Sequence, residues 1–386
     1  MDPSQSSGTT AISEDEIALY DRQIRLWGLQ AQQKIRKASI LLLTLRALGN
    51  EIAKNLVLAG ISSLTILDPA PATPVDLGAQ FFLSTAQSES EESVIGKNRA
   101  QASAPSIQKL NPRVAVKVDE AHLSTKDDAF FAQFDVVIAT DLPTVDLTRV
   151  NNAVRRAGKA FYAAGTCGMY GFIFADLGEH EYVIQRDAGN VTTKLGDETR
   201  TRSVVDVRTK KEGVRSVESV TKREIYSPFA DAALSAKLPE EYAKSKRRLR
   251  GVTPVLPCLR ALWSFVSPDG TSNVPRKDNR DDLGAYTQLA MAKHSELGLP
   301  PETLTPAVIR QFLQGVGCEI APVSAVLGGQ LAQDVINVLG RTQQPIQNTV
   351  VFDGDRMEAQ MYALHPERSL GKSANGEAKT NGEQEA

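Results

Sequence analysis

Cysteine is scarce in this sequence. Its 386 residues hold three, Cys167, Cys258 and Cys318, which are far apart, odd in number and never in a C-x-x-C pattern. That excludes a disulfide framework and a zinc ribbon, and it fits a reducing compartment. Histidine is nearly as rare. The four, His122, His180, His294 and His365, are dispersed, and no H-E-x-x-H is present, so no metal is expected in this chain. Neither sign of charge dominates: 44 basic against 46 acidic residues leave a formal net charge of −2. Electrostatics therefore give no reason to expect nucleic acid or a membrane as partner. No apolar run approaches the ~18–20 residues that span a bilayer. The polar, acidic start, MDPSQSSGTTAISEDE, reads as neither a signal nor a transit peptide.

What is present is an alternation of strand and helix patterns. Ser13-Glu14-Asp15-Glu16 has the form of a capping box and opens a helix that runs through IALYDRQIRLWG to Gly28. A second helical stretch leads into ASILLLTL, an almost continuous apolar run suited to a strand buried on both faces of a parallel sheet. Residues 49–59 place Ile52, Leu56 and Ala59 on one helical face, and Gly60 stops the helix. SSLTILD follows as a strand ending at Asp68. Helices over about 96–110 and 144–157, and strands at RVAVKVD, FDVVIATD, KAFYAAG and YGFIFADLG, continue the pattern. The fold class expected is α/β, a doubly wound, mostly parallel Rossmann-like sheet, with an inserted, mostly helical region and a C-terminal return to the sheet. Residues 185–255 read as mixed and polar, and 256–320 as helical. The stretch 321–339 reads as a helix with Ala325, Gly328, Gly329 and Ala332 set for close packing, and VVFDG with MEAQMYAL as a closing hairpin. The boundaries expected are a disordered lead (1–12), a first α/β part (13–180), an insertion (181–310), a closing part (311–364) and a disordered tail (365–386).

Glycine is missing where this fold uses it for chemistry. A dinucleotide turn needs glycines for the tight bend, for backbone approach to phosphate and for helix–strand packing. Here the turn reads Thr44-Leu45-Arg46-Ala47-Leu48-Gly49. Only Gly49 remains, in the packing role. Arg46 has the charge to attract phosphate, but its side chain fills the space the backbone approach requires. The reading is a lost nucleotide site on a retained frame. Asp68 stands either where a ribose-binding acid would sit or as a strand-end residue in the turn before Pro69.

The stretch YDRQIRLWG (20–28), with AKNLVLAGISSLTILD, DLGAQFFL (76–83), IGKNRAQAS, FADLGEHE and APVSAVLGGQLAQDVI in the same order, resembles the ubiquitin-like-protein-activating enzymes, the ThiF/MoeB-related family. Within that family it is most similar to the smaller, Aos1-type subunits of SUMO-activating enzymes. The resemblance covers roughly residues 14–180 and 310–362. It implies one of a pair of related α/β subunits. A larger Uba2-type partner would bind ATP and magnesium, adenylate SUMO, carry it as a thioester and pass it to a conjugating enzyme. This chain resembles the degenerate partner, so no cofactor is expected in it. Thr44, Arg46 and Ala47 stand at glycine positions of the active loop. Gly78-Ala79-Gln80-Phe81 replaces N-R-Q-F, and Arg99 stands for a lysine. Asp141 keeps the place of the magnesium-binding aspartate but is followed by Leu142-Pro143.

The resemblance singles out Arg22 as the catalytic contribution, reaching across the dimer to ATP phosphates held by the partner. A guanidinium is a planar, permanently charged fork for phosphate oxygens. The plainer reading of Arg22 is a surface arginine paired with Asp21 or Glu16. Arg25, three residues on, lies on a similar face, and Trp27 reads as a packing residue. Cys258 and Cys318 read as packed and Cys167 as a loop cysteine. The run 244–250, KSKRRLR, reads as a solvated face, a nuclear localisation signal or a patch for acidic partners. The resemblance favours a nuclear location. The alternatives are the same role for another modifier, or a stand-alone adenylyltransferase or oxidoreductase homodimer, which would need the missing glycines.

Overall fold

Along 39–43 the pleat sends Ile40 and Leu42 to one side of a strand and Leu41 and Leu43 to the other, and all four are buried. A strand with no polar face belongs inside a sheet covered on both sides. In the computed structural model, which describes residues 13–84, 92–189, 191–213 and 215–367, this strand is central. The strands are β1 (Ser39–Leu43), β2 (Ser63–Leu67), β3 (Ala115–Asp119), β4 (Val136–Thr140), β5 (Ala160–Cys167), β6 (Tyr170–Asp176), β7 (Glu179–Asp187), β8 (Gly196–Asp197), β9 (Arg202–Glu212), β10 (Arg215–Ile225), β11 (Thr349–Asp353) and β12 (Glu358–Tyr362). The main sheet has the order β12-β11-β6-β5-β4-β1-β2-β3. The five strands from β3 to β5 run parallel, while β6, β11 and β12 extend the sheet antiparallel.

Each face has its own core. Ile40, Leu42 and Ile138 pack with helices Ala47–Ala59 and Ala321–Gly340. Leu41, Leu43 and Val137 pack with helices Thr144–Arg156, Val255–Ser264 and Pro306–Gly315. The insertion and the C-terminal helix therefore cover opposite faces of one sheet.

The structure departs from the sequence reading in several places. The first part of the insertion is not helical. Residues 179–225 form a second, antiparallel sheet, β7-β10-β9-β8, and only from Phe229–Leu234 onward is the insertion helical. The long β9–β10 hairpin alternates polar and aliphatic residues, and its polarity masked a strand that is half solvated. The N-terminal helix is two, Glu14–Leu19 and Asp21–Trp27, broken at Tyr20. The Tyr20 ring is buried so close to Gly60 that a Cβ there would lie 2.5 Å from it, and its hydroxyl accepts from Asn111 at 2.8 Å. Of the small residues in Ala321–Gly340, Gly328 has Glu51 Cβ 2.6 Å from where its own Cβ would be, and Ala332 is buried. Gly329 meets nothing within 4 Å, and Ala325 is exposed. His365, placed in the tail by the sequence reading, is buried and bonds Ser227 and Gln347. Residues 1–12 and 368–386 lie outside the described residues. Among the described residues no helix is long and apolar enough to cross a membrane.

Candidate functional site

In a doubly wound sheet the ligand crevice opens at the carboxyl ends of the strands, where the strand order reverses. Here that point lies between β1 and β4. The β1 turn and helix Ala47–Ala59 form one wall, and Asp141, at the end of β4, forms the other.

The turn keeps the shape of a glycine loop without its glycines. Thr44 has φ 73°, in the left-handed region that favours glycine, at a cost of about 1 kcal/mol or more. Its carbonyl accepts from Thr140 Oγ1 at 2.8 Å. A Cβ on Gly49 would come within 2.6 Å of that same carbonyl, so the one surviving glycine is required by helix–strand contact, the packing role read from the sequence.

The N-terminus of Ala47–Ala59 is where such a fold would seat a phosphate. A carboxylate from this chain sits there instead. Ala47 N–H donates to Glu319 Oε1 at 2.9 Å, Arg46 Nε pairs with the same oxygen at 3.3 Å, and Gln80 Nε2 reaches Glu319 Oε2 at 3.4 Å. The Glu319 side chain is only 7% exposed.

Arg99 is equally committed. Its Nε and Nη2 donate to Asp68 Oδ2 at 3.0 and 2.8 Å, and its Nη1 donates to Asp76 Oδ1 at 3.2 Å. Asp68 also accepts from Leu45 N–H at 2.8 Å and Ala70 N–H at 3.0 Å. It is thus a strand-end residue, as one reading held, but a fully buried one that pins the turn. Burial opposes ionisation of Asp76, yet hydrogen bonds from Thr73 and Gln80 and the Arg99 charge outweigh it and hold its pKa below the ordinary carboxylate value.

Asp141 has φ 52° and accepts from Thr166 N–H at 3.1 Å. Its other oxygen is buried with no hydrogen-bond partner. Burial pushes its pKa up to about 6, against the pull of Arg46 and the Thr166 hydrogen bond. The described residues contain no cluster of three or more histidine, cysteine or carboxylate side chains arranged to hold a metal ion. A nucleotide triphosphate does not fit these residues: both cations and the helix N-terminus already hold in-chain acids. Glu319 escaped the sequence reading because it reaches Ala47 across most of the chain, and Asp76, though it opens the DLGAQFFL stretch, was given no role there because its partner Arg99 lies 23 residues on.

Arg22 lies outside this crevice. It is exposed, and among the described residues no carboxylate pairs with it. Both acids considered for it are engaged elsewhere. Asp21 pairs with Arg25 at 2.9 Å, and Glu16 pairs with Arg36 and Arg113 while completing the Ser13 capping box. Leu26, 80% exposed, lies one turn on from Arg22 in the same helix, and Leu19, 56% exposed, ends the helix before it. Trp27 is half-buried against the core and donates to Gln32 Oε1 at 2.8 Å.

Residues 20–372 match the ThiF family. The chain belongs to that family. Among curated relatives of this ThiF-family chain, DNA damage tolerance protein RHC31 of Saccharomyces cerevisiae is 35% identical over 91% of this chain and 97% of its own. SUMO-activating enzyme subunit 1 of Homo sapiens is 35% identical over 92% and 97%, and that of Xenopus laevis 35% over 89% and 94%. Among solved structures, that of E. coli MccB aligns with TM-score 0.49 at 14% identity, covering 91% of this chain and 74% of that one.

Cys167 and Cys258 are buried, and burial pushes both thiols up to about 12. Cys318 is exposed rather than packed, because the loop after Gly315 carries it to the surface. The basic run forms a short helix, Lys246–Gly251, capped by Ser245. Lys244, Arg248 and Arg250 there pair with Glu240, Glu241 and Glu302, as on a solvated face.

Proposed function

We propose that this ThiF-family chain is the subunit of a SUMO-activating enzyme that lacks the catalytic cysteine. A larger Uba2-type partner supplies the ATP and magnesium site and the thioester cysteine, and passes SUMO to a conjugating enzyme. The observation that carries the reading is the division of charge. The cations of this chain's crevice are bound by Glu319, Asp68 and Asp76, while Arg22 stands exposed and unpaired among the described residues, one helical turn before the exposed Leu26. Such a face suits a partner surface, since aliphatic contacts exclude water around a charged group that must reach an anion. In this reading Arg22 enters the partner's site and stabilises charge developing on the ATP phosphates, which makes adenylation conditional on assembly.

The test is ATP–pyrophosphate exchange with SUMO present. The lone chain is expected to show none and the reconstituted pair to show exchange. The pair carrying Arg22→Ala should be slower by a factor on the order of 10³, as for other arginines supplied in trans, with the dimer intact by gel filtration. Exchange at the unchanged rate removes Arg22 from the mechanism. Tight ATP binding by the lone chain would favour a stand-alone adenylyltransferase. A nuclear location belongs to the same reading and is supported by the family resemblance. Imaging of the tagged chain checks it, and exclusion from the nucleus when the partner is co-expressed refutes it.

A further inference from the structure

Helices Arg280–Glu296 and Pro306–Gly315 enclose a groove of about 430 Å³ that plays no part in the degenerate crevice. Leu283, Ile309 and Leu313 form an apolar floor, and Lys277 and Arg310 stand at the rim. Nearby Arg276 is held by Asp269 and Asp282, Arg250 by Glu302 and Lys293 by Glu296. Among the described residues no carboxylate pairs with Lys277 or Arg310, and both are exposed. Lys277 Nζ is instead anchored by the Gln314 carbonyl at 2.9 Å, which fixes a positive charge at the groove mouth.

We infer that this groove is a docking site for an acidic, aliphatic peptide segment of another protein. One or two branched side chains would drop onto the Leu283–Ile309–Leu313 floor, and flanking carboxylates would meet Lys277 and Arg310. The volume suits a short anchor and is too small for a whole helix or a folded surface. The floor supplies the apolar burial, and the two unneutralised cations select the sign of the flanking charge. The site stands apart from the Arg22 reading, and each can fail without the other.

Cys318 provides a reporter. Its Sγ lies 3.6 Å from Lys277 Nζ at the groove mouth, and it is exposed while the chain's other two cysteines are buried. Alkylation of the native chain therefore reads this position alone.

The experiment uses the full chain and three labelled synthetic peptides. One has two leucines flanked by aspartates, one replaces the aspartates by lysines, and one replaces the leucines by serines. Fluorescence polarisation is expected to show binding of the aspartate–leucine peptide alone. It should weaken at least tenfold in the Lys277→Glu/Arg310→Glu double variant, which changes only exposed side chains. The same variant should now take the lysine-bearing peptide. Saturating aspartate–leucine peptide should slow maleimide labelling of Cys318 several-fold. Equal binding of the lysine or serine peptide, an unaffected double variant, or unchanged Cys318 labelling would each overturn the assignment. Octanoate displacing the peptide at equal concentration would do so too, by marking a small-carboxylate site in place of a protein contact.

Discussion

Replacing Arg99 by alanine would strand two buried carboxylates. Arg99 is 8% exposed, and its partners Asp68 and Asp76 are 2% and 6% exposed. Removing one member of such a cluster costs about 3–5 kcal/mol, chiefly because the remaining charges are left buried and unpaired. At roughly 2 °C per kcal/mol for a long chain, the expected fall in Tm is ~6–10 °C. Arg99→Lys should fall between wild type and alanine, since an ammonium keeps the charge but cannot hold Asp68 through two nitrogens and Asp76 through a third. The pH dependence separates charge from packing. Asp76 has a folded pKa below its ordinary value, so its ionised form stabilises the wild-type fold above about pH 4, and that stability is lost as pH falls through the folded pKa. In Arg99→Ala one partner holding the carboxylate ionised is gone, and protonation relieves the strain. The gap between wild type and variant should therefore be largest at pH 7 and narrow toward pH 4. Differential scanning calorimetry at the two pH values measures it. An equal gap at both, or no loss at pH 7, would refute the view that Arg99 has become a structural cation for Asp68 and Asp76.

Glu319→Ala should free the Ala47 N–H and the Arg46 guanidinium and create a weak anion site. Inorganic pyrophosphate at millimolar concentration is expected to show ³¹P line broadening with the folded variant and none with wild type. No broadening in either would mean that the lost glycines alone exclude phosphate and that the carboxylate is incidental. The Arg22 exchange assay, the imaging of nuclear entry and the peptide test of the Lys277–Arg310 groove complete the set. Their outcomes are independent of the Arg99 and Glu319 measurements.

Much of the frame was legible because it rests on local periodicity. Ile40 to Leu43 had to be buried on both faces, Ile52 and Leu56 had to share a helical face, and Ser13 with Glu16 had to cap a helix. The absence of the turn glycines was legible too, since Thr44, Arg46 and Ala47 stand in the sequence itself. The β9–β10 hairpin was not, because a half-solvated strand rich in Lys, Arg, Glu and Thr has no apolar run to mark it.

The sequence by itself determined the α/β alternation and the glycine-poor turn, properties of residues within a few positions of one another, while the candidacy of Arg22 came from a resemblance carried by motifs spread along the chain. Only the tertiary structure decided how the crevice is filled and which surface charges remain free. Glu319 reaches Ala47, Arg99 reaches Asp68 and Asp76, and Arg36 and Arg113 take Glu16, across separations that no local pattern encodes. The physical reason is that ion pairing is a competition among all charges brought close by folding. Which acid a given arginine keeps is known only once the chain has placed every rival.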